Sequence, residues 1–188
     1  VYIRKMKKKV LTEVALFTGT VKRPKGYEQN NAQIKADILE AQLQHKTVTD
    51  SPTSYRFFDY KLNYSKDMGY VHQWVKEYAE VKHSLVLLEE LSFGNILQHA
   101  EQSFSRKVLE ENDLKNEPDY VMVYAVDVYP DSAQVVIEYD NNKRRDNTWF
   151  QPLNTGDFAL FPTNQRFFLA GNETKHPNTF LITTFKEV

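Results

Sequence analysis

The sequence predicts an α+β, mainly β fold: a jelly roll braced by two N-terminal helices. Three observations point there. Aromatic residues are abundant (12 Phe, 11 Tyr and 2 Trp) while glycine is scarce at 6, and aromatic side chains suit the half-buried faces of sheets. Two stretches with helical periodicity stand in the first half, and after about residue 83 the period shortens to that of strands. The later strands are short and separated by turn residues every ten or so positions, the pattern of a sandwich or barrel. With 188 residues the chain can bury a real core. We expect one domain, 1–188, with a supporting strand and helix region at 1–83 and a jelly-roll core at 84–188.

Residues 1–29 read as strand and loop: "VLTEVALFTGTV" partly alternates, and "KRPKG" ends it with breakers. The segment 30–46, "NNAQIKADILEAQLQHK", reads as an amphipathic helix. Asn30 or Asn31 is its expected cap, and Ile34, Ile38, Leu39 and Ala41 its apolar stripe. A short aromatic strand follows at about 54–62. The clearest helix is 66–82, with Ser65 as cap and Asp67 at the positive helix end. Val71, Trp74, Val75, Tyr78 and Val81 recur there at three- and four-residue steps, so Trp74 is expected to anchor the helix on a sheet. Strands are expected at 84–91, 93–99, 120–128, 133–139, 147–151, 157–161, 166–170 and 179–186. "VYPDSA" and "YDNNKRRDN" are turns. Helices first and strands after place the helices on one outer face of the jelly roll.

Composition removes whole classes of function. There is no cysteine, hence no disulfide, zinc ribbon, iron–sulfur cluster or thiol nucleophile. No apolar run approaches the ~20 residues of a membrane span, and the start, "VYIRKMKKKV", lacks a signal-peptide core. No Gly-rich phosphate loop and no Gly-x-Ser-x-Gly elbow occur. A net charge of −1 does not suit coating nucleic acid, although the basic start leaves a phosphate contact open. Arg4, Lys5, Lys7, Lys8 and Lys9 there, with Lys143, Arg144 and Arg145 at a charged hairpin tip, are candidate partner-binding cations. Their plainer reading is solvated surface.

The segments "SFGNILQHAEQSF" (92–104), "PDYVMVYAVDV", "VVIEYD", "GDFALFP" and "NETKHPNTFLITTF" together resemble the double-stranded β-helix of iron(II)/2-oxoglutarate oxygenases. The nearest flavour is the short oxygenase-like proteins of marine tailed phages that infect cyanobacteria. The resemblance covers 84–188 and rests on strand order and turn signatures. It implies a His-x-Asp/Glu pair and a distal His that hold iron with open positions beside it. It also implies a basic residue, usually Arg, that grips 2-oxoglutarate. The first pair is due about eleven to thirteen residues beyond Asn95, where Arg106, Lys107 and Val108 stand. The distal His is due five residues after Pro162, where Phe167 stands, and the Arg is due at Asn178 or Thr179. Arg106, Val108, Phe167 and Thr179 therefore read as degenerate ligand positions.

One other set has the right residue types. His99-Ala100-Glu101 spells His-x-Glu, and on a strand the two would share a face; His176 is the available third ligand. A surface His beside a surface Glu is the preferred reading, since the motif falls one strand too early. Asp127, Asp131, Glu138 and Asp140 surround a strand–turn–strand but alternate with apolar residues, as outward positions do. His72 and His83 are eleven residues apart on one helix, some 16 Å by helix rise, too far to share a metal. Phe167, Phe168 and Trp149 are expected to fill the barrel where the family keeps its site.

These readings lead to a non-catalytic oxygenase-like jelly roll with no cofactor, a structural or interaction component of a tailed-phage virion at the neck or tail. Its partners would be other protein chains in an oligomeric assembly, and its place the virion or host cytoplasm. The alternatives are an iron(II)/2-oxoglutarate hydroxylase using His99, Glu101 and His176, with Fe(II) and 2-oxoglutarate as cofactors, or a jelly-roll module that binds a small ligand.

Overall fold

The computed structural model describes residues 13–22, 30–48, 59–103, 106–107, 117–140 and 146–188. The basic cluster at Arg4–Lys9, the hairpin tip Lys143–Arg145 and Val108 lie outside the described residues.

Two sheets face each other. Strand β1 (Phe17–Thr20) is followed by helix α1 (Asn30–Val48), β2 (Asp59–Lys61) and helix α2 (Lys66–His83). Then come β3 (Leu87–Leu97), β4 (Arg106–Lys107), β5 (Tyr120–Asp127) and β6 (Ala133–Asp140). Strands β7 (Asp146–Leu153), β8 (Asp157–Pro162), β9 (Arg166–Leu169) and β10 (Asn178–Glu187) complete the chain. One sheet runs β1-β8-β5-β10-β3-β2 and the other β4-β9-β6-β7, with every pairing antiparallel. The eight strands β3–β10 thus divide between two facing sheets, the jelly roll that the strand pattern predicts. The supporting region joins the jelly roll directly, since β1 and β2 are the two edge strands of the larger sheet.

The expected strands at 84–91 and 93–99 are one strand, β3. A register shift opposite Thr183 and Phe185 absorbs the irregularity between Glu89 and Ser92, so the chain bends without ending.

Both helices pack on the outer face of the six-stranded sheet. Helix α2 begins at Ser65, whose hydroxyl accepts from the Met68 N–H at 3.3 Å. It ends at Ser84 in the left-handed conformation (φ 54°), whose N–H reaches back to the helix carbonyls. Its buried stripe is Met68, Val71, His72, Val75 and Ala79. That stripe is turned from the expected one: Trp74 and Tyr78 are half-buried at its flank, stacked 5.4 Å apart, and Val81 is 78 % exposed. In α1, Ile34 and Ile38 are buried while Leu39 faces solvent. Asn31 does not cap α1 with its side chain; it gives its amide N–H to the Val126 carbonyl (2.8 Å) and accepts from Tyr124 Oη (2.8 Å). Gly94 of β3 lets α1 come close, since a Cβ there would lie 2.6 Å from Ile38.

Two apolar cores result. One lies between helices and sheet and includes Ile34, Ile38, Val71, Val75, Met122, Phe158 and Phe185. The other fills the barrel between the sheets. No helix among the described residues is long and apolar enough to cross a membrane.

Candidate functional site

In the barrel, Phe167 sits at the point where the resemblance places the distal His. It lies on β9, between β4 and β6, opposite Arg106 on one side and Ile137 on the other. The register therefore brings together two of the positions that the resemblance assigns to iron ligands. Alternation along β9 turns Phe167 and Leu169 inward, and both are fully buried. The Phe167 ring meets Phe161 edge-on at 5.2 Å, a favoured aromatic geometry. Around them stand Val123, Ala159, Phe180 and Ile182 from the opposite sheet. Phe168 points to the other face, in register with Val136, so of the three expected fillers Phe167 alone occupies the barrel centre. Trp149 lies at the rim, 51 % exposed.

This wall does not fit an iron site. Aliphatic and aromatic carbons offer no lone pair to a divalent cation. Asn95 is a polar side chain on this side: it is fully buried and shares a face of β3 with Phe93 and Leu97. One neutral amide cannot supply a His–His–carboxylate face. Thr179, paired with Ile96 and Asp127, is buried in β10 and brings a neutral hydroxyl where a cation would grip the cofactor.

The other set does not converge either. His99, Ala100 and Glu101 form a turn rather than a strand, with Ala100 at φ 62°. The alternation that would align His99 with Glu101 is therefore absent. Glu101 accepts from the Gln98 N–H at 2.7 Å, and His99 Nδ1 lies 3.2 Å from the Thr174 carbonyl, to which it donates. These bonds pin the turn to the 172–176 loop, together with Ala100 N–H to Asn172 O (2.7 Å). His176 Nε2 instead meets Asp127 Oδ1 at 3.2 Å. No group of three or more His, Asp or Glu is placed to hold a metal among the described residues.

Asp127 gathers Lys35 (2.5 Å) and His176 in one partly exposed cluster. Burial pushes its carboxyl up, but the Lys35 hydrogen bond and charge and the His176 ring outweigh it, so the group sits below the usual carboxylate range. The cluster ties α1 to β5 and to the loop before β10. Asp131 accepts from Asn154 (3.3 Å) and Glu138 meets Arg166 at 3.9 Å; the Asp140 side chain lies outside the described residues.

A buried polar cluster lies on the helix side of the larger sheet. His72 Nε2 is 2.8 Å from Thr183 Oγ1 and 3.5 Å from Ser92 Oγ, and the two hydroxyls are 3.0 Å apart. Burial drives the His72 pKa down to about 4, with Glu89 opposing and Lys76 assisting. Its Nδ1 has no hydrogen-bond partner. An imidazole beside two hydroxyls has the composition of a nucleophile–base pair, but all three are sealed under α2 (0–9 % exposed), where no substrate arrives. His72 stands at a core position of the 68, 71, 72, 75, 79 stripe, the one signal that its burial left in the sequence.

A cleft of about 380 Å³ opens at the rim of the barrel, between Val14–Thr18 and residues of β6 and β7. Leu16, Ile137 and Phe161 form its floor, and Tyr139, Trp149 and Gln151 its wall. Trp149 Nε1 donates to Gln151 Oε1 at 3.1 Å, which fixes the indole. The resemblance led to the expectation that Trp149 is a filler; its place on an edge strand, which single-sequence patterns do not reveal, makes it a rim residue.

No family model and no curated protein matches the chain. Solved structures do. The chain is similar to the non-heme α-ketoglutarate-dependent carbocyclase SnoK from nogalamycin biosynthesis, with a TM-score of 0.65 and 10 % identity over 92 % of this chain and 79 % of that one. A Pseudomonas putida prolyl-4-hydroxylase aligns with a TM-score of 0.58 and 8 % identity over 92 % of both chains. The viral collagen prolyl hydroxylase of Paramecium bursaria Chlorella virus-1 aligns at 0.61 and 6 % over 95 % and 98 %. At these identities the likeness establishes the jelly-roll fold of 2-oxoglutarate/iron(II) oxygenases.

Proposed function

We propose that this chain is a non-catalytic, oxygenase-like jelly roll that serves as a rigid block for protein–protein association, as a component of a tailed-phage particle at the neck or tail. One observation carries the loss of catalysis: Phe167 stands fully buried against Phe161 at 5.2 Å, where the resemblance calls for a metal-binding histidine. A core packed this way is stiff, which suits assembly. The phage placement draws on the sequence resemblance alone. Two experiments test the reading. Incubation with iron(II), 2-oxoglutarate and oxygen is expected to release no succinate above background, and sustained release overturns the loss of catalysis. Mass spectrometry of purified particles is expected to find the chain in fixed stoichiometry, and its absence overturns the virion role.

A second reading is an iron(II)/2-oxoglutarate hydroxylase with an unusual ligand set. The comparisons support it more directly than the virion role, because an α-ketoglutarate-dependent carbocyclase and a prolyl-4-hydroxylase share the fold over most of the chain. It requires a donor set other than the Phe167 wall, and His99, Glu101 and His176 are the residues to substitute first if succinate appears. A third reading, a small-ligand module, has the 380 Å³ cleft beside Trp149 in its favour.

A further inference from the structure

Edge strands expose a row of unpaired backbone groups, and proteins protect them by making them short or charged. Four strands lie at sheet edges here: β1 with 4 residues, β2 with 3, β4 with 2 and β7 with 8. Strand β7 is the long one, and its stretch 147–153, "NTWFQPL", has no charged residue. It pairs with β6 alone among the described residues. The uncovered part of β3, by contrast, carries Glu89 and Glu90. Both faces of β7 show aromatic surface: Trp149 is 51 % and Phe150 58 % exposed. Phe150 continues across the sheet as a row with Val136 and Phe168.

Pro152 indicates which backbone groups of β7 point outward. It has no N–H, so it belongs to the set that faces away from β6. Its carbonyl agrees, since it accepts from Gln151 Nε2 at 3.3 Å. Alternation then places the N–H and C=O of Thr148 and Phe150 on the open side as well.

We propose that β7 is a homodimer interface, formed by antiparallel addition of β7 from a second copy of this chain about a two-fold axis at Trp149. The inference rests on the reading of the chain as an association module and names the surface involved. In this register Thr148 exchanges both backbone hydrogen bonds with the partner's Phe150, and Phe150 with the partner's Thr148. Trp149 falls in a non-hydrogen-bonded pair with its own copy, where side chains approach most closely and aromatic pairs stabilise sheets. Asn147 meets the partner's Gln151, and no like charges oppose each other within 147–153. The lack of charge is the argument for a second copy: a strand with neither sign has no electrostatic preference for a basic or acidic partner, and its self-complementary row fits itself. The pair closes on itself, because each copy's open edge covers the other's.

Sedimentation at micromolar concentration tests this. A mass twice that of the 22.1 kDa chain is expected, and Trp149→Lys, which sets two cations across the axis, is expected to return the monomer mass with unchanged circular dichroism. Because the chain has no cysteine, Trp149→Cys gives an independent readout if the lysine variant misfolds. With a mild oxidant it is expected to cross-link into a dimer, whereas Phe150→Cys, which lies opposite Thr148, cross-links far less. A monomer at all concentrations overturns the inference, as does a dimer that neither Trp149→Lys nor the cysteine pattern perturbs. Recovery of β7 paired only with a different protein overturns it too. A monomeric chain leaves the reading of the barrel intact, while succinate release overturns that reading and leaves the dimer to stand or fall by sedimentation.

Discussion

The six-stranded sheet buries two cores, one on each face, and they differ in where they place polar chemistry. On the helix side, the core holds an imidazole and two hydroxyls within 3.5 Å of one another, with the Asn31–Tyr124 bond nearby. On the barrel side, where the sequence resemblance would place a metal, Phe161 and Phe167 meet amid aliphatic residues, with Asn95 as a buried amide on that face. The polar groups that survive burial here dock helices onto a sheet. The barrel side is packed with aromatic and aliphatic side chains. On the proposed reading, architecture and chemistry part company at Phe167.

The comparison breaks most forcefully at that residue. Phe167→Ala leaves a cavity between the sheets, and a loss of about 3–5 kcal/mol in unfolding free energy is expected, measured by urea denaturation. Trp149→Ala at the rim of the same barrel is expected to cost about 1 kcal/mol or less in dilute protein, since half its surface already meets water. Equal losses at the two positions would mean that the barrel centre is not packed as described.

The helix-side core is sharpened by pH. His72 titrates near 6.5 when unfolded and is held to about 4 when folded. The unfolded chain therefore binds the extra proton first as pH falls. The stability that neutral His72 permits is full above pH 6.5 and is lost progressively down to about 4, by about 3 kcal/mol in all. A His72→Gln variant, compared with the parent across that window, is expected to show a flatter decline. Parallel curves would contradict the burial of a neutral imidazole.

The smallest effect is expected at the Asp127 cluster. Its groups are about one-third exposed, so solvent screens them, and Asp127→Asn is expected to cost about 1 kcal/mol or less. The cost should shrink further in high salt. A salt-independent loss would show that Asp127 acts through packing rather than charge.

Much of the fold was legible in the chain because local rules and tertiary demands agreed. Ser65 and the apolar steps after it mark α2 within a residue of its observed start, and the Pro, Asp and Asn turns bracket β5 to β8. Where they disagreed, the reading slipped. Val81 continues a helical step but faces water, because the sheet meets α2 along the stripe of Met68, Val71, His72, Val75 and Ala79. The break expected at Ser92 is continuous strand, with a bulge at Glu90–Leu91 that shows only once β10 is laid beside it. His99 and Glu101 have strand spacing in a segment that turns, with Ala100 in the left-handed region. Phe167 was the most informative position, since its offset from Pro162 could be counted in the sequence. That Arg106 lies opposite it needed the register of β4 on β9.

The most direct measurement is a calorimetric titration of the purified chain with manganese(II), as an iron(II) surrogate, and 2-oxoglutarate together at millimolar concentration. A barrel closed by Phe167 predicts no saturable heat, and Phe167→His alone is not expected to create it, since Arg106 and Thr179 stand at the other positions that the resemblance assigns to ligands. Saturable binding of both ligands by the parent chain, lost on substituting His99 or His176, would contradict the account and assign the site elsewhere.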